Sequence, residues 1–471
     1  MMMIREWGRF GLRFRLALVV SALVAMSGWA SAQNADSKAG NPGDDRGVKS
    51  MAGGILPLDK FGGEVTERGY LLGDWGGLRT NLAKKGIRFR GSLTPVFQSV
   101  VDGGTEETSA FGQSGDFWSA LDLDRMGVMR GGLLVMRAEW DTGRTVNNKA
   151  GTLMAPSFNA LIPVSGEAGR DIFSLTSLYY TQFLGERFGV WFGRTDTFHN
   201  ANLNEFTGLN PRVGKTQFQN LALTAIPVMT VTQPYVTSLG AGVFARPTDN
   251  WELAAMVMDS RESSLTDGLG DFGRDWNSFF TAAYRYRIGD LPGRQMVGFS
   301  YSWNGDYTKL DGSQLSNIVR GVPLRSEEET WAVIYSGFQY IQVFDGDTSK
   351  PINLKDGRAD HRGWGVFLLA GLADEDTNPV QWSLAGGIGV RGLLPSRPND
   401  EFGIGYFVID IKDDVVANII GLKSTEQGAE IYYDFEVLPS VHITADLQVI
   451  DPGLAASDTT VILGLRTNIT F

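Results

Sequence analysis

The chain has 471 residues, a formal net charge of −11, 59 glycines and no cysteine, which excludes disulfides, thiolate zinc sites and cysteine nucleophiles. The acidic balance argues against nucleic acid as a partner, and the histidines (His199, His361 and His442) are too scattered in sequence to suggest a shared metal site. A hydrophobic content of 43% is too low for a bundle of membrane-spanning helices, whereas frequent glycine favours β structure with tight turns.

Residues 1–32 have the organisation of an export signal peptide. An arginine-rich start is followed by an apolar run over 16–26, and then by the small-x-small sequence at 30–32. A membrane anchor is the alternative, but a spanning helix needs about 20 apolar residues and this run is shorter. We therefore predict cleavage after Ala32. Removing four arginines and one glutamate changes the formal charge from −11 to −14 in the mature chain.

The next two segments are a lead-in and a short helix. Residues 33–69 are polar and glycine-rich, and are predicted to form a flexible N-terminal segment. Residues 70–86 are predicted to contain a short helix, which Asp74 can cap at its N-terminus and Gly86 can end. Its apolar face contains Trp75, Leu78 and Leu82.

From residue 87 onward, apolar and polar residues alternate with the period of a β-strand. In 441–450, for example, Ile443 and Leu447 alternate with His442 and Asp446. Several segments are near ten residues long, which suits tilted membrane strands better than the ~5–6 residues typical of a soluble sandwich. The predicted strands are 87–101, 116–124, 133–141, 172–183, 187–196, 236–246, 251–259, 277–287, 295–304, 330–343, 363–373, 381–392, 400–410, 427–437, 441–450 and 460–471.

Two further patterns favour an all-β fold, a transmembrane antiparallel β-barrel of about 16 strands over residues 87–471. Short connections such as 289–293 alternate with long ones at 305–326, 345–362 and 411–426, which predicts short turns at one end and long loops at the other. Aromatic residues gather near segment ends, as in the interfacial girdles of membrane barrels: Trp140, Trp303, Trp331, Trp364, Trp382 and Phe471.

A barrel of this size leaves an aqueous lumen. Residues 205–235 do not resemble a strand, and two interpretations stay open: a loop folded into the channel, or a large outer loop. The polar strand faces carry both signs of charge, a wall that suits an uncharged polyol better than one kind of ion. The predicted pore-lining and substrate-contact residues are Arg88, Arg90, Arg137, Glu139, Arg285, Arg287, Arg391, Glu430, Tyr432, Asp434 and Arg466. For each charge, a solvated wall residue held by ion pairs is the alternative.

The residues leave three functions open: a channel for small sugars, a general or weakly cation-preferring diffusion porin, and an outer-membrane barrel hydrolase. The hydrolase would use His442, but Asp446 lies ~13 Å further along the strand and cannot orient it directly. A serine would have to come from another strand. We predict no catalytic residue, no metal and no cofactor.

The segment YLLGDWGGLRTNLAKKGI (70–87) resembles the N-terminal signature of the carbohydrate-selective porin family of the OprB type. The blocks at 365–379, 386–406, 446–453 and 461–471 are similar to that family as well. This resemblance implies a 16-stranded barrel in the outer membrane of a Gram-negative-type bacterium, passing monosaccharides such as glucose by facilitated diffusion without catalysis.

The resemblance also implies partners. These are small sugars, outer-membrane lipid and the barrel-insertion machinery, which would recognise the last strand with its terminal Phe471 as an assembly signal. The helix would sit beneath or inside the barrel. Whether the protein is a monomer or a homo-oligomer stays open.

Overall fold

The computed structural model describes residues 54–158, 171–197, 204–207, 216–227, 237–261, 263–270, 272–310, 325–344, 354–355, 358–359, 361–412 and 421–471. Within them, sixteen antiparallel strands close into a barrel, in which the last strand pairs with the first. Two separate two-stranded sheets also form, in which Tyr307–Thr308 pairs with Ser326–Glu327, and Leu354–Lys355 pairs with Arg358–Ala359.

The strands in chain order are β1 (Ile87–Gly104), β2 (Thr108–Asp122), β3 (Gly132–Gly143), β4 (Ile172–Phe183), β5 (Phe188–Asp196), β6 (Thr237–Ala245), β7 (Trp251–Asp259), β8 (Trp276–Ile288), β9 (Leu291–Trp303), β10 (Tyr307–Thr308), β11 (Ser326–Glu327), β12 (Thr330–Val343), β13 (Leu354–Lys355), β14 (Arg358–Ala359), β15 (Gly363–Ala373), β16 (Val380–Arg391), β17 (Glu401–Ile411), β18 (Thr425–Leu438), β19 (Val441–Asp451) and β20 (Asp458–Thr470). The helices with described bounds are α1 (Leu78–Lys84) and α2 (Leu221–Thr224). No helix in the described part of the chain is long and apolar enough to cross a membrane.

Each of the sixteen predicted segments coincides with one barrel strand, so the predicted fold is confirmed. The largest boundary difference concerns β2, which begins at Thr108 rather than at residue 116. Residues 108–115 pair in register with 93–100 of β1. Glycines at 112 and 115 interrupt the alternation of side chains there, so the sequence pattern gives no sign of a strand.

Apolar side chains cover the outer face of the barrel, and most polar strand residues face inward, the reverse of a soluble β protein. On β1, Phe97 is 46% exposed, whereas Thr94 and Gln98 are buried. The same alternation occurs on β19, where Leu447 is exposed and Asp446 is buried. These faces match the predicted ones, and they are the arrangement in which lipid surrounds the barrel and the lumen is polar.

Strand direction assigns each connection to one of the two ends of the barrel. The tight turn 289–290 lies at the same end as Phe471, and the long connections 304–329 and 412–424 lie at the opposite end. The prediction that 345–362 belongs with those long loops was wrong. This connection follows β12, which runs in the same direction as β8, so it lies at the short-turn end.

Helix α1 lies at the short-turn rim, where β1 and β20 meet. Its N-cap is Gly77, with a left-handed φ of 94°, and not the predicted Asp74. The Asp74 carboxylate instead accepts a hydrogen bond from Thr80 N (2.8 Å) inside the first turn. Gly86 follows the helix with a φ of 90°, as the sequence pattern predicts.

The predicted apolar face of α1 is its exposed face. Trp75 and Leu78 are about half exposed, while the buried residues of the helix are Arg79 and Ala83. An arginine is therefore the main buried side chain of this helix, which amphipathic periodicity alone could not indicate.

The stretch that precedes α1 contacts lumen-facing residues of the same rim. Ile55 and Leu56 donate their backbone N–H groups to Asp122 Oδ2 (2.7 and 2.9 Å), and Arg88 forms an ion pair with Asp59. The described part of the predicted flexible segment thus contacts the barrel. The earlier part of that segment and the predicted signal peptide lie outside the described residues.

Candidate functional site in the lumen

The connection between β5 and β6 enters the barrel. Its described stretches, 204–207 and 216–227, contact inward-facing residues of the wall, and we call these two stretches the inserted loop. Asn204 Nδ2, for example, donates to the Gly337 carbonyl on β12 (2.7 Å). Of the two interpretations left open for 205–235, the described residues show the loop that is folded into the channel.

Glycines on the inner face of β15–β17 form the seat for this loop. A Cβ on Gly365 would lie 2.8 Å from the Phe206 ring, and a Cβ on Gly389 would overlap the same ring. On β17, a Cβ on Gly403 would lie 3.0 Å from Phe218. The glycines inside these strands therefore permit close packing of the loop against the wall.

Polar groups of the wall hold the loop backbone. Glu430 accepts hydrogen bonds from the backbone N–H groups of Gln219 (2.7 Å) and Asn220 (2.8 Å). The Asn220 side chain donates to Gln448 Oε1 (3.1 Å) and caps α2 by accepting from Ala222 N (2.9 Å). These bonds fix the start of α2 against β18 and β19.

The connection between β3 and β4 packs over the inserted loop. The Pro156 carbonyl accepts hydrogen bonds from Gln98 on β1 (3.1 Å) and Gln448 on β19 (2.9 Å), and Phe158 N donates to Gln219 O (2.8 Å). Both connections contribute to an apolar core inside the barrel, together with Phe338, Phe367, Phe407 and Tyr432 of the wall. The lumen beside β12–β20 is therefore largely filled.

The inner face of β1 and β2 keeps an arginine–aromatic surface. The Arg90 guanidinium lies 4.7 Å from the centroid of the Trp118 ring, and that of Arg88 lies 5.9 Å from it. Both Arg90 and Trp118 retain partial exposure. The Trp118 ring faces the lumen, where it lies beside the positively charged guanidinium groups of Arg88 and Arg90.

A second charged group lies on β7–β9. Glu252 is shared by Arg285 (2.5 Å) and Arg294 (3.1 Å), and both Glu252 and Arg294 are buried. Arg287 lies beyond them at the rim, where it donates to the Asp290 carbonyl of the turn (2.7 Å). Here the wall contains paired charges of both signs.

The two stretches of the inserted loop meet at Glu205. Gln217 Nε2 donates to the Glu205 carbonyl (3.1 Å), and the Tyr340 hydroxyl donates to the Glu205 carboxylate. Burial raises the pKa of Glu205 to about 7, although the hydrogen bond from Tyr340 and the positive charge of Arg391 act in the opposite direction. A carboxyl group that titrates near neutral pH thus lies inside the channel.

Comparison with known proteins identifies the family. The family described as carbohydrate-selective porin, OprB family, matches residues 106–471, which is most of the chain. This chain belongs to the OprB family. Family and fold together make it an outer-membrane porin for carbohydrates.

Individual relatives agree with the family over nearly their full lengths. Porin B of Pseudomonas aeruginosa is 23% identical over 442 residues, which cover 85% of this chain and 91% of that protein. The high-pH structure of Pseudomonas putida OprB has a TM-score of 0.74 at 21% identity, covering 86% of this chain and 99% of that chain. The low-pH structure of the same protein has a TM-score of 0.55 at 16% identity, with the same coverage. At this identity the two structures establish the shared fold.

The predicted pore-lining residues of this porin fall into two groups. The residues that retain exposure are Arg90, Arg285, Arg287 and Arg391. The residues that are buried are Arg88, Arg137, Glu139, Glu430, Tyr432, Asp434 and Arg466. A buried side chain cannot touch a passing solute, so for the second group the structure supports a role in holding the wall and the loop. Tyr432, for instance, packs edge-on against Phe218 at 4.9 Å.

His442 is held between carboxylates. Its Nδ1 lies 2.6 Å from Asp434 on β18, and its Nε2 lies 3.5 Å from Glu436. Both ring nitrogens of His442 thus face carboxylates and not a serine hydroxyl. This arrangement does not support the hydrolase alternative. Within the described residues, no group of three or more histidines and carboxylates is arranged to hold a metal ion.

Sequence reasoning missed several residues of the lumen. Arg294 lies one position before the predicted strand 295–304, since β9 begins earlier than predicted. Glu252 lies on the inward side of a predicted strand, so its position was detectable although its two arginine partners were not. Glu205 and Gln217 belong to a loop without periodicity, and the sequence of this porin carries no signal for them.

Proposed function

We propose that this porin mediates facilitated diffusion of small neutral carbohydrates, monosaccharides such as glucose among them. The observation that carries the proposal is the Arg90–Trp118 pair in the accessible lumen. A sugar ring has an apolar face that can stack on an indole, and hydroxyl groups that can accept hydrogen bonds from a guanidinium. Because the Arg90 guanidinium covers one face of the Trp118 ring, a sugar ring would stack on the opposite face while its hydroxyl groups bind the guanidinium edge.

Charge pairing in the lumen supports a neutral solute. Arg88 is neutralised by Asp59, and Glu252 neutralises one of the two arginines that share it, which leaves one net positive charge in that group. Partial neutralisation of this kind reduces the selectivity of the wall for the sign of an ion. We infer a passive channel that uses no catalysis and no cofactor.

The proposal includes the route to the membrane. Residues 1–32 would direct export and be removed after Ala32, and the barrel-insertion machinery would recognise the last strand with Phe471. Outer-membrane lipid would cover the outward apolar face. Small sugars are the proposed solutes, and nucleic acid is not a proposed partner.

The test is planar-bilayer conductance of the refolded protein, titrated with glucose and with a disaccharide. We expect small conductance steps and saturable block by glucose. In the W118L variant, the affinity for glucose is expected to fall by about fivefold, equivalent to ~1 kcal/mol for a lost stacking contact. The matched control is W382L, which changes an outward-facing indole that is 40% exposed.

The outcomes separate the candidates. Large ohmic steps that sugar does not affect would contradict sugar selectivity and leave a general diffusion porin. Saturable block that is equal in the wild type and in W118L would keep the sugar porin and reject the Arg90–Trp118 surface as its binding site.

A further inference from the structure

The seam where β20 pairs with β1 is interrupted close to the short-turn rim. Register partners pass from Leu93–Ile469 directly to Val96–Arg466. Pairing of β1 with β2, on its other side, continues through Pro95 without a break. Proline has no backbone N–H to donate, so it removes one bond from the ladder it faces. The register is the same on both sides of this gap, and the two register shifts of the seam occur in its outer part, between Val100 and Gly104.

Few backbone contacts remain between this gap and the rim. Leu93 pairs with Ile469 and Ser92 with Thr470, and Gly91 and Phe471 exchange hydrogen bonds through Phe471 N (2.8 Å) and Gly91 N (3.4 Å). A side-chain bond from Asn468 Nδ2 to the Thr94 hydroxyl (3.0 Å) crosses the gap itself. Beyond the gap, the seam consists of these three residue pairs at the rim.

The residues before and within α1 bridge the two strands at this point. Leu71 N donates to the Thr470 carbonyl (2.8 Å). Arg79 Nη2 donates to the carbonyl of Phe89 on β1 (3.1 Å) and to Phe471 O, directly after β20 (3.2 Å). One guanidinium thus contacts both sides of the seam.

Arg79 is held for this task by an aromatic cage. Its Cζ lies 4.2 Å from the ring centroid of Phe61, 4.7 Å from Tyr70, 5.5 Å from Trp75 and 5.4 Å from Phe89. The residue is only 2% exposed. A planar cation inside a set of rings keeps its orientation, and a flexible ammonium would not present several donors in one plane.

The DWGG sequence shapes the chain so that Arg79 reaches the seam. Trp75, Gly76 and Gly77 all have positive φ angles (51°, 68° and 94°), which fold the backbone tightly before α1. Asp74 then accepts bonds from both the backbone N–H and the hydroxyl of Thr80 (2.8 Å each). The turn and the helix are thereby joined into one unit.

We propose that residues 71–79 form a clasp that locks the β1–β20 seam at the short-turn rim and compensates for the interruption at Pro95. The clasp joins the start of the first strand to the residue directly after the last strand. It therefore forms only once the barrel has closed. This role is independent of the solute that the channel passes.

The test is hydrogen–deuterium exchange of the refolded barrel in detergent, compared between the seam and the β18–β19 hairpin. In R79Q, exchange of seam amides is expected to accelerate at least tenfold, while that of the hairpin stays unchanged. R187Q is the matched control, because Arg187 pairs with Asp249 at an exposed turn of the same end. The P95V variant restores a seam donor, so it should slow seam exchange and restore most of the protection in R79Q.

Each other outcome contradicts the clasp. Equal acceleration in seam and hairpin would show that Arg79 stabilises the barrel only in general, and unchanged seam exchange would show that it holds nothing there. If R79Q does not refold, R79K keeps the charge but lacks the planar donors, and the same tenfold acceleration is expected. Failure of P95V to slow seam exchange would reject the compensation.

Discussion

At the scale of single residues, Glu205 places a buried carboxyl group inside the channel. The periodicity of the sequence does not indicate this position. Its carboxyl is buried where the two stretches of the inserted loop meet, and burial raises its pKa from the ordinary 4.5 to about 7. The folded protein therefore prefers the neutral form. The stability that this preference contributes is complete below pH 4.5 and is lost as the pH rises through 7.

The ion selectivity of the channel is expected to depend on pH through Glu205. Its ionisation adds one negative charge to the lumen, so the potassium-to-chloride permeability ratio should rise by about twofold between pH 6 and pH 8, since salt screens part of the new charge. In E205Q the ratio should stay flat. Bilayer reversal potentials in a salt gradient measure this directly.

The charged and titratable groups around Glu205 define the control for that measurement. Arg391, Arg285 and Glu401 act on its carboxyl through their charges, and Tyr340 donates a hydrogen bond to it. The ring of His361 lies 5.8 Å from that of Tyr340, so the comparison is repeated in an H361Q background. A pH dependence that persists in E205Q and disappears in H361Q would assign the effect to the histidine.

Glu430 is the second residue with a defined task, because it accepts two backbone N–H groups of the inserted loop. In E430Q the amide retains one acceptor and places a donor against the second N–H. We expect the loop anchor to weaken by ~1–3 kcal/mol, the cost of a buried N–H group that loses its acceptor. Conductance should become larger and noisier, and amides of 216–227 should exchange faster.

The control for this variant is E106Q. Glu106 is an exposed residue at the end of the barrel that carries the long loops, where it pairs with Lys149. Conductance that is the same in the wild type and in E430Q would show that Glu430 does not hold the loop in place.

At the scale of elements, the inserted loop and the glycines of β15–β17 form one packed unit. Aromatic side chains of the loop occupy the space that missing side chains leave on the wall, and the Phe206 ring packs on Phe338 at 5.9 Å. Glycine is unfavourable inside a strand, but in β15–β17 it leaves space for side chains of a loop that is distant in sequence.

The G389A variant tests this fit. Its new methyl group would overlap Phe206, and overpacking of this kind costs ~1–3 kcal/mol. Displacement of the loop should increase single-channel conductance and lower the temperature at which the barrel unfolds on heated SDS gels. In the control G386A, the methyl group of an outward-facing strand position would lie 3.2 Å from the Phe367 carbonyl, and little change is expected. Equal behaviour of the two variants would reject the proposed seat.

At the scale of the whole molecule, the barrel interior has two different parts. Apolar residues of the inserted loop and of the wall form one core beside β12–β20, and a second apolar cluster lies on β2–β7, whereas arginines on β1, β8 and β16 and Trp118 on β2 retain exposure. A sixteen-stranded barrel is wide enough to hold a folded loop and still leave a passage. The solute path is therefore set by what the loop leaves open, and not by the barrel alone.

Local patterns in the sequence are sufficient to predict the barrel. Alternation with a period of two is a local property, so the sixteen strands, their inward and outward faces and the glycine after α1 could all be predicted from neighbouring residues. The same reasoning cannot recognise a strand interrupted by glycines, as at residues 108–115 of β2. Nor can it recognise a connection whose end of the barrel depends on strand direction, as at 345–362.

Long-range tertiary contacts determine which inward-facing residues stay exposed to the lumen. Glu430, Tyr432 and Arg466 have the same inward position on their strands as Arg90 and Arg391, yet the inserted loop packs against the first three and leaves the others partly exposed. Arg79 likewise contacts Phe471, 392 residues away in sequence. Periodicity specifies the side of a strand on which a residue lies. What covers that side depends on long-range contacts, which local patterns in the sequence do not contain.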